Sequence, residues 1–567
     1  MASKTTSQST NTLTAVVAAS WLPLIIIVLA QLQMGFNINV LPVSIGPIAQ
    51  DLNAPATAIS TALVVYSLFV AAFVMLGAKI GKLFGERLVF QVSVVAHGIS
   101  MVMMAIASDA STMNTAQLIA GIAAAALVPT LVVLIAANYR EQQQAQALGI
   151  LSSIPAIASG VAFVVAGLIA TVLSWRYSFA LIAFLSVFVF ILSFRLKPIP
   201  RQPGIKIDFV GVVLSAAAIA LMLFAFNNIN NWGLLWATDR APFALLGISP
   251  VPIMLVLGLV LGQAFFAWSE KRVATQKVPL LAMEVLDSPE EKNAVLAFLV
   301  AGALSSAVSF LIPLYIQFVQ GRTPFETAIA IVPYAIAVAA AAILSLRLYS
   351  RMPIRTIGVV CFVMIAIGAA FVAFAISGNW GTLAVILGLI LLGLGEGAML
   401  TLLFNVLVTA SPKELAGDVG ALRGVANNVS SALGAAFAGV VAVSLLGIII
   451  TTAFNRSSLP PQLEQEINFD NINFVSNDQL NGVLANTSAT PAEIDEAVKI
   501  NEDARLRSLR ATFLLIAAIS LLSIFPALKL PKYLPGELSA EDIVNEKAPD
   551  EVAPVETPAG EIKGRTA

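Results

Sequence analysis

The chain has 567 residues but only one cysteine, Cys361, and only one histidine, His97. A lone cysteine excludes an intrachain disulfide, and one histidine with one cysteine leaves no cluster that could hold zinc. Charged residues make up only 11% of the chain, whereas soluble domains carry about 25%. A water-soluble fold is therefore excluded. No glycine-rich loop ends in Lys-Ser or Lys-Thr, the arrangement that cradles nucleotide phosphates. No enzymatic activity, cofactor or metal is expected. With a formal net charge of -1 there is no basic excess to attract nucleic acid.

What the chain has instead is apolar length. Hydrophobic residues make up 58% of it, and the mean hydropathy is +0.90. Fourteen apolar stretches lie at about 20–42, 57–79, 88–108, 115–138, 147–171, 176–196, 209–228, 249–268, 293–318, 328–346, 354–377, 382–405, 421–452 and 509–531. A bilayer core about 30 Å thick needs roughly 20 helical residues to cross it. A helix also satisfies its own backbone hydrogen bonds in lipid. The expected fold is an all-α membrane protein with fourteen transmembrane helices. The first stretch is too long for a signal-peptide core and reads as the first span.

Basic residues cluster in alternate loops. One cluster is Lys79, Lys82 and Arg87; others are Arg195, Lys197, Arg201 and Lys206; Lys271, Arg272 and Lys277; and Arg347, Arg351 and Arg355. The short loops between them keep Arg176, Arg240 and Arg322. By the positive-inside rule both termini are expected in the cytoplasm, with the chain in the plasma (inner) membrane. Residues 1–19 then form a cytoplasmic tail and 454–508 an extracytoplasmic segment. In that segment Thr490, Pro491 and Glu493 read as a helix start with a capping box. The charged run after them is expected to continue into the last span, 509–531, and the Pro/Glu/Asp-rich tail 532–567 to be disordered.

Several local texts resemble the major facilitator superfamily. Gly81-Lys82-Leu83-Phe84-Gly85-Glu86-Arg87 is similar to its signature between helices two and three. Trp175-Arg176-Tyr177-Ser178-Phe179 and Gln317-Phe318-Val319-Gln320-Gly321-Arg322-Thr323-Pro324, followed by Pro333, resemble texts of its fourteen-helix drug:proton antiporters. Gly121 and Pro129 fall where the fourth helix of that family has such residues. The resemblance implies an N-terminal six-helix bundle (20–200), an inserted helix pair (201–292), and a second bundle made of 293–453 and the last span. It also implies secondary transport by alternating access around a midplane site, with export of an amphipathic organic compound.

The chain departs from that pattern at titratable positions. Gln33 stands where the first helix usually has Asp, Lys82 where the loop signature has Asp, and Gln117 where the fourth helix has Arg. Ala162-Phe163 replaces a Gly-Pro pair. An amide does not titrate near neutral pH, so the usual proton-carrying groups are missing from the first half. Glu396, in Gly393-Leu394-Gly395-Glu396-Gly397, is the acid best placed within a span and the candidate for proton coupling. The alternative role is a hydrogen-bonded clasp between helices.

Gln33 and Asn37 are spaced i, i+4 and share one helix face. By the resemblance that helix lines the cavity, so both are candidate substrate-binding groups, with Asn427 a further one; interhelical hydrogen bonding is the alternative. Lys82, Glu86 and Arg87 are candidates for a gating charge clamp, or simply set the topology. His97 is expected to be neutral and satisfied, with a proton relay as the alternative. The expected partners are a small-molecule substrate, protons as the candidate coupling ion, and the lipid bilayer. An uncoupled facilitator, or a membrane receptor or scaffold using the 454–508 segment, remains open.

Overall fold

The computed structural model describes residues 20–532, apart from 140, 202–203, 205, 284–288, 349–350, 379–382, 410–415, 458, 460–473, 475–476 and 488. Both terminal tails and much of the first half of the 454–508 segment lie outside the described residues. Fourteen long helices carry the fold. They are α1 (Leu22–Val43), α2 (Ala56–Phe84), α3 (Glu86–Ala105), α4 (Ala110–Asn138), α5 (Glu141–Val172), α6 (Trp175–Ser193) and α7 (Phe209–Asn227). They continue as α8 (Pro250–Ala274), α9 (Pro289–Leu314), α10 (Pro324–Leu348), α11 (Ile354–Ala375), α12 (Leu383–Thr409), α13 (Ala416–Phe454) and α14 (Pro491–Leu522). Thirteen of them contain a stretch long and apolar enough to cross a membrane, and α5 contributes the shorter apolar run Ala158–Val172. The protein is an all-α, multi-pass membrane protein.

The helices sort by packing. In the first half α2 and α3 both lie on α4, α6 on α3, and α1 against α5 and α6. In the second half α12 lies on α10 and α11, α13 on α9, and α14 on α11 and α13. Two edges join the halves, α2 with α13 and α5 with α10. The pair α7–α8 packs on itself and reaches the bundles mainly through α7, on α2 and α13. The inserted pair therefore stands at the periphery.

Several ends differ from the apolar stretches, each for a local reason. The expected loop after residue 79 is helix as far as Phe84, and Gly85, at φ +96°, makes the whole turn into α3. Glycine adopts that conformation without a Cβ clash. Lys82, Glu86 and Arg87 are thus helical residues on either side of a one-residue corner, not members of an open loop. Where 509–531 was expected as one span, α14 ends at Leu522 and a short helix, Ile524–Ala527, follows. At its other end α14 begins early. The Thr490 hydroxyl accepts from the Glu493 N–H, the Glu493 carboxylate accepts from the Thr490 N–H, and Pro491 opens the first turn. At 39 residues, α13 is about 58 Å long at about 1.5 Å per residue. That exceeds a bilayer core of about 30 Å, so α13 is longer than a single crossing requires.

Candidate functional site

Each bundle has a buried polar centre, and the two centres differ in kind. In the first, α1 presents amides to its neighbours. Gln33 meets His97 of α3 with its Nε2 2.8 Å from the imidazole Nδ1. One turn on, Asn37 and Gln117 of α4 exchange two hydrogen bonds, each 3.0 Å. All four side chains are fully buried. Asn39 then accepts from the Ser159 hydroxyl of α5 at 3.0 Å. The i, i+4 spacing does put Gln33 and Asn37 on one face, and that face meets α3 and α4. Gln33 Oε1 and His97 Nε2 remain buried without a hydrogen-bond partner among the described residues.

The second centre is acidic. Glu396 of α12 is fully buried, and its Oε2 accepts from the Tyr334 hydroxyl of α10 at 2.5 Å. Ser305 of α9 lies within hydrogen-bonding reach of both groups. Glu396 Oε1 has no partner among the described residues. The flanking glycines explain how a carboxylate comes to sit here. A Cβ on Gly393 or Gly397 would collide with the Tyr334 or Val338 carbonyl of α10, and one on Gly395 with the Cys361 carbonyl of α11. Only hydrogen at these positions lets α12 approach both helices, and the approach brings Glu396 against the Tyr334 hydroxyl. Three helices thus converge on one carboxyl group.

Asn427 of α13 is exposed, whereas its neighbour Asn428 is buried and donates to the Gly424 carbonyl at 2.8 Å. Gly424 abuts Val74 of α2, and Ser430 abuts Gly302 of α9. Asn427, three residues from each, lies on the arc between those two faces.

Among the described residues no ion pair within 4 Å joins Lys82, Glu86 and Arg87. The Arg87 guanidinium donates to the Phe194 carbonyl at 2.9 Å and lies over that ring, and Glu86 is buried against Gly81. Among the described residues an ion pair instead crosses between the bundles from Lys79 of α2 to Asp418 of α13, at 3.9 Å. At the opposite end Gln317 clasps the two halves. Its Nε2 donates to the Val43 carbonyl at 2.8 Å and its Oε1 accepts from the Gly46 N–H at 2.7 Å. Residues Tyr315–Val319 form a π-helix there, and the buried Arg505 of α14 donates to the Phe318 carbonyl at 2.6 Å. The Trp175-Arg176 text is also a staple: the Trp175 indole N–H and the Arg176 guanidinium both reach Asp51, each at 2.9 Å.

The sequence reading did not anticipate Tyr334, Ser305, Asp418 or Arg505. Tyr334 had a signal, as a hydroxyl next to Pro333 in an apolar stretch. Asp418 had one too, as an acid at the mouth of a span.

The geometry is that of a two-bundle carrier, and known proteins agree. The sequence model of the Major Facilitator Superfamily matches residues 27–435. The chain belongs to that superfamily. It is 26% identical to the puromycin resistance protein pur8 of Streptomyces alboniger over 74% of this chain and 81% of that protein. It is 23% identical to the tetracenomycin C resistance and export protein of Streptomyces glaucescens, over 78% and 79%. It is also 23% identical to the methyl viologen resistance protein SmvA of Salmonella typhimurium, over 79% and 86%. Among solved structures, a bacterial homologue of the human lysosomal transporter Spinster, in an inward-facing and unoccupied conformation, shares the fold. Its TM-score is 0.57 at 14% identity, over 90% of this chain and 98% of that one. The protein is a membrane transporter of this superfamily.

Proposed function

We propose that the protein is a secondary active exporter of an amphipathic organic compound, coupled to protons at Glu396. The observation that carries this reading is the contrast between centres: a carboxyl group with an unpartnered oxygen at the centre of the second bundle, and amides with an imidazole at the centre of the first, where the buried acid among the described residues, Glu86, lies at the α2–α3 corner instead. A transporter that spends a proton gradient needs a group that takes up a proton on one side and releases it on the other. Glu396 meets that need, and its Tyr334 partner lies on α10, a helix that also packs on the opposite bundle through α5. Rocking one bundle against the other would change the surroundings of the pair. Asn427 then contacts the substrate between the bundles, and Gln33 and Asn37 act on the substrate site through the position of α1, which they hold against α3 and α4. Lys82, Glu86 and Arg87 brace the corner that moves with α2. The named relatives are resistance and export proteins for organic compounds, which supports the substrate class. The clusters of Lys and Arg support cytoplasmic termini.

Proteoliposomes containing the full chain test this reading. With puromycin, methyl viologen and ethidium as probes, an imposed pH gradient should drive accumulation of at least one of them. Transport that runs only downhill and ignores the gradient would make the protein a facilitator. Absence of any flux with all three probes and in counterflow would favour a receptor or scaffold. An impermeant maleimide applied outside intact cells should label a cysteine at Asn486 and spare one at Lys277; the reverse pattern would invert the topology.

A further inference from the structure

The loop between α7 and α8 exposes a run of large apolar side chains outside the spans. Between Leu234 and Ile248 seven large apolar side chains are exposed, among them Leu235, Trp236, Phe243 and Leu245. Trp236 is 72% exposed and Leu246 92%. Single exposed apolar residues are ordinary, but a contiguous patch marks a surface that something covers. Only Asp239 and Arg240 are charged within the loop, and they cancel. A charged partner would find little to bind.

Three observations point to what covers it. First, backbone hydrogen bonds tie the two arms of the loop together. Ala237 N–H donates to the Gly247 carbonyl at 3.0 Å, Ser249 N–H to Leu235 at 2.8 Å, and Leu245 and Ile248 exchange bonds of 3.1 and 2.9 Å. Such pairing holds the loop as a compact hairpin that can rest at the interface, where its unpaired backbone groups still meet headgroups and water while its side chains reach the acyl region. Second, Leu246 holds a left-handed conformation, φ +54°, at the tip of the turn before Gly247 at φ +80°. Glycine or asparagine adopts that conformation at lower cost, yet the position carries a leucine pointing outward. Third, the patch continues a lipid-facing surface. It is suspended between the ends of α7 and α8, whose outer faces expose Val213, Phe224, Leu257 and Val260, and α8 is the least buried of the spans. Both stems of the loop are therefore held at the bilayer boundary.

We infer that residues 234–248 form a membrane anchor whose occupant is the lipid leaflet at that end, with Leu245, Leu246 and Phe243 among the acyl chains and Trp236 at the headgroup level. Tryptophan favours that level because its ring is apolar and its N–H is not; the Trp236 N–H has no hydrogen-bond partner among the described residues. The anchor fixes the inserted pair in the plane of the bilayer while the bundles beside it move.

Site-directed spin labelling of the full chain in phosphatidylcholine/phosphatidylglycerol nanodiscs tests it. Native Cys361 is buried, and labelling of the unaltered protein gives the background. A nitroxide at Leu246→Cys should collide with oxygen several-fold more often than with a water-soluble nickel chelate. A nitroxide at Asn486→Cys should show the opposite ratio. Nickel dominating at 246 would place the loop in water and overturn the inference. An immobilised label reached by neither reagent would show a protein occupant, and dipolar coupling between labels would identify a second copy; either overturns it as well. Independently, brominated lipids should quench tryptophan emission less in Trp236→Phe than in the unaltered protein, and equal quenching would count against the anchor.

Discussion

The two bundles stabilise buried polarity by different chemistry. The first pairs amide with amide and amide with imidazole, so its centre is held without a carboxylate. The second buries a carboxyl group against a phenol and leaves one oxygen free. An amide pair satisfies both members by exchanging N–H and C=O, and nothing in it changes with pH. A carboxyl group in a membrane interior is costly and differs between its two protonation states in charge, donors and acceptors. The first centre is suited to holding helices together and the second to switching. Energy coupling in this chain is therefore expected to be one-sided, carried by the half opposite to the one where the resemblance implies the titratable groups.

The largest effect expected from breaking this contrast is at Glu396. Glu396→Gln keeps the shape and the acceptor for Tyr334 but cannot titrate. Accumulation driven by a pH gradient should fall to background in proteoliposomes, while downhill exchange of the same probe stays within about twofold of the unaltered protein. Full gradient-driven accumulation in this variant would reduce Glu396 to a helix clasp.

An intermediate effect is expected in the amide centre. Asn37→Leu leaves Gln117 buried and unpaired, which costs about 1–3 kcal/mol, and should raise the half-saturating concentration of a transported probe about tenfold, or about 1.4 kcal/mol. The double variant Asn37→Leu/Gln117→Leu removes both members, so thermal stability should largely recover. If affinity recovers with it, Asn37 is only a clasp. If affinity stays low, Asn37 acts on the substrate site through the position of α1.

How much of this contrast could be read from the sequence follows from what each feature depends on. The fourteen spans are local: about 20 apolar residues suffice, and no contact is needed to recognise them. The start of α14 is equally local, since Thr490, Pro491 and Glu493 cap one another within three residues. Glu396 stood out because a charge inside an apolar stretch is rare. Its partner did not, because Tyr334 is 62 positions away and only the packing of α12 on α10 makes them neighbours. The same holds for Gln33 and His97, 64 positions apart. Their helix face was legible, but not what the face meets. The corner at Gly85 shows the opposite limit. Hydropathy ends a span where charges begin, so Lys82 reads as loop, yet α2 runs through it as helix because hydrogen bonding, not polarity, ends a helix. Arg423, half-buried in α13, was visible as a lone charge near the start of a span.

The smallest effect is expected at the ion pair that joins the bundles. Lys79 and Asp418 are 3.9 Å apart with side chains 12% and 17% exposed, and Asp418 also accepts from the Ala282 N–H at 3.3 Å. At that distance the pair gains little from direct hydrogen bonding, and the cost of partly burying both charges offsets much of their attraction. Pairs of this kind contribute about 0–1 kcal/mol, far less than the apolar seam between α2 and α13 beneath it. Lys79→Ala should therefore lower the melting temperature by no more than a few degrees. Its informative readout is kinetic: if separation of α2 from α13 accompanies each cycle, removing the pair should change the transport rate by up to about fivefold, the equivalent of about 1 kcal/mol. The exchanged pair Lys79→Asp/Asp418→Lys should restore the original rate if the attraction between the bundles is what matters. A double exchange no better than Lys79→Ala would mean that Asp418 acts through Ala282 alone, and that the two bundles meet at this end without an electrostatic latch.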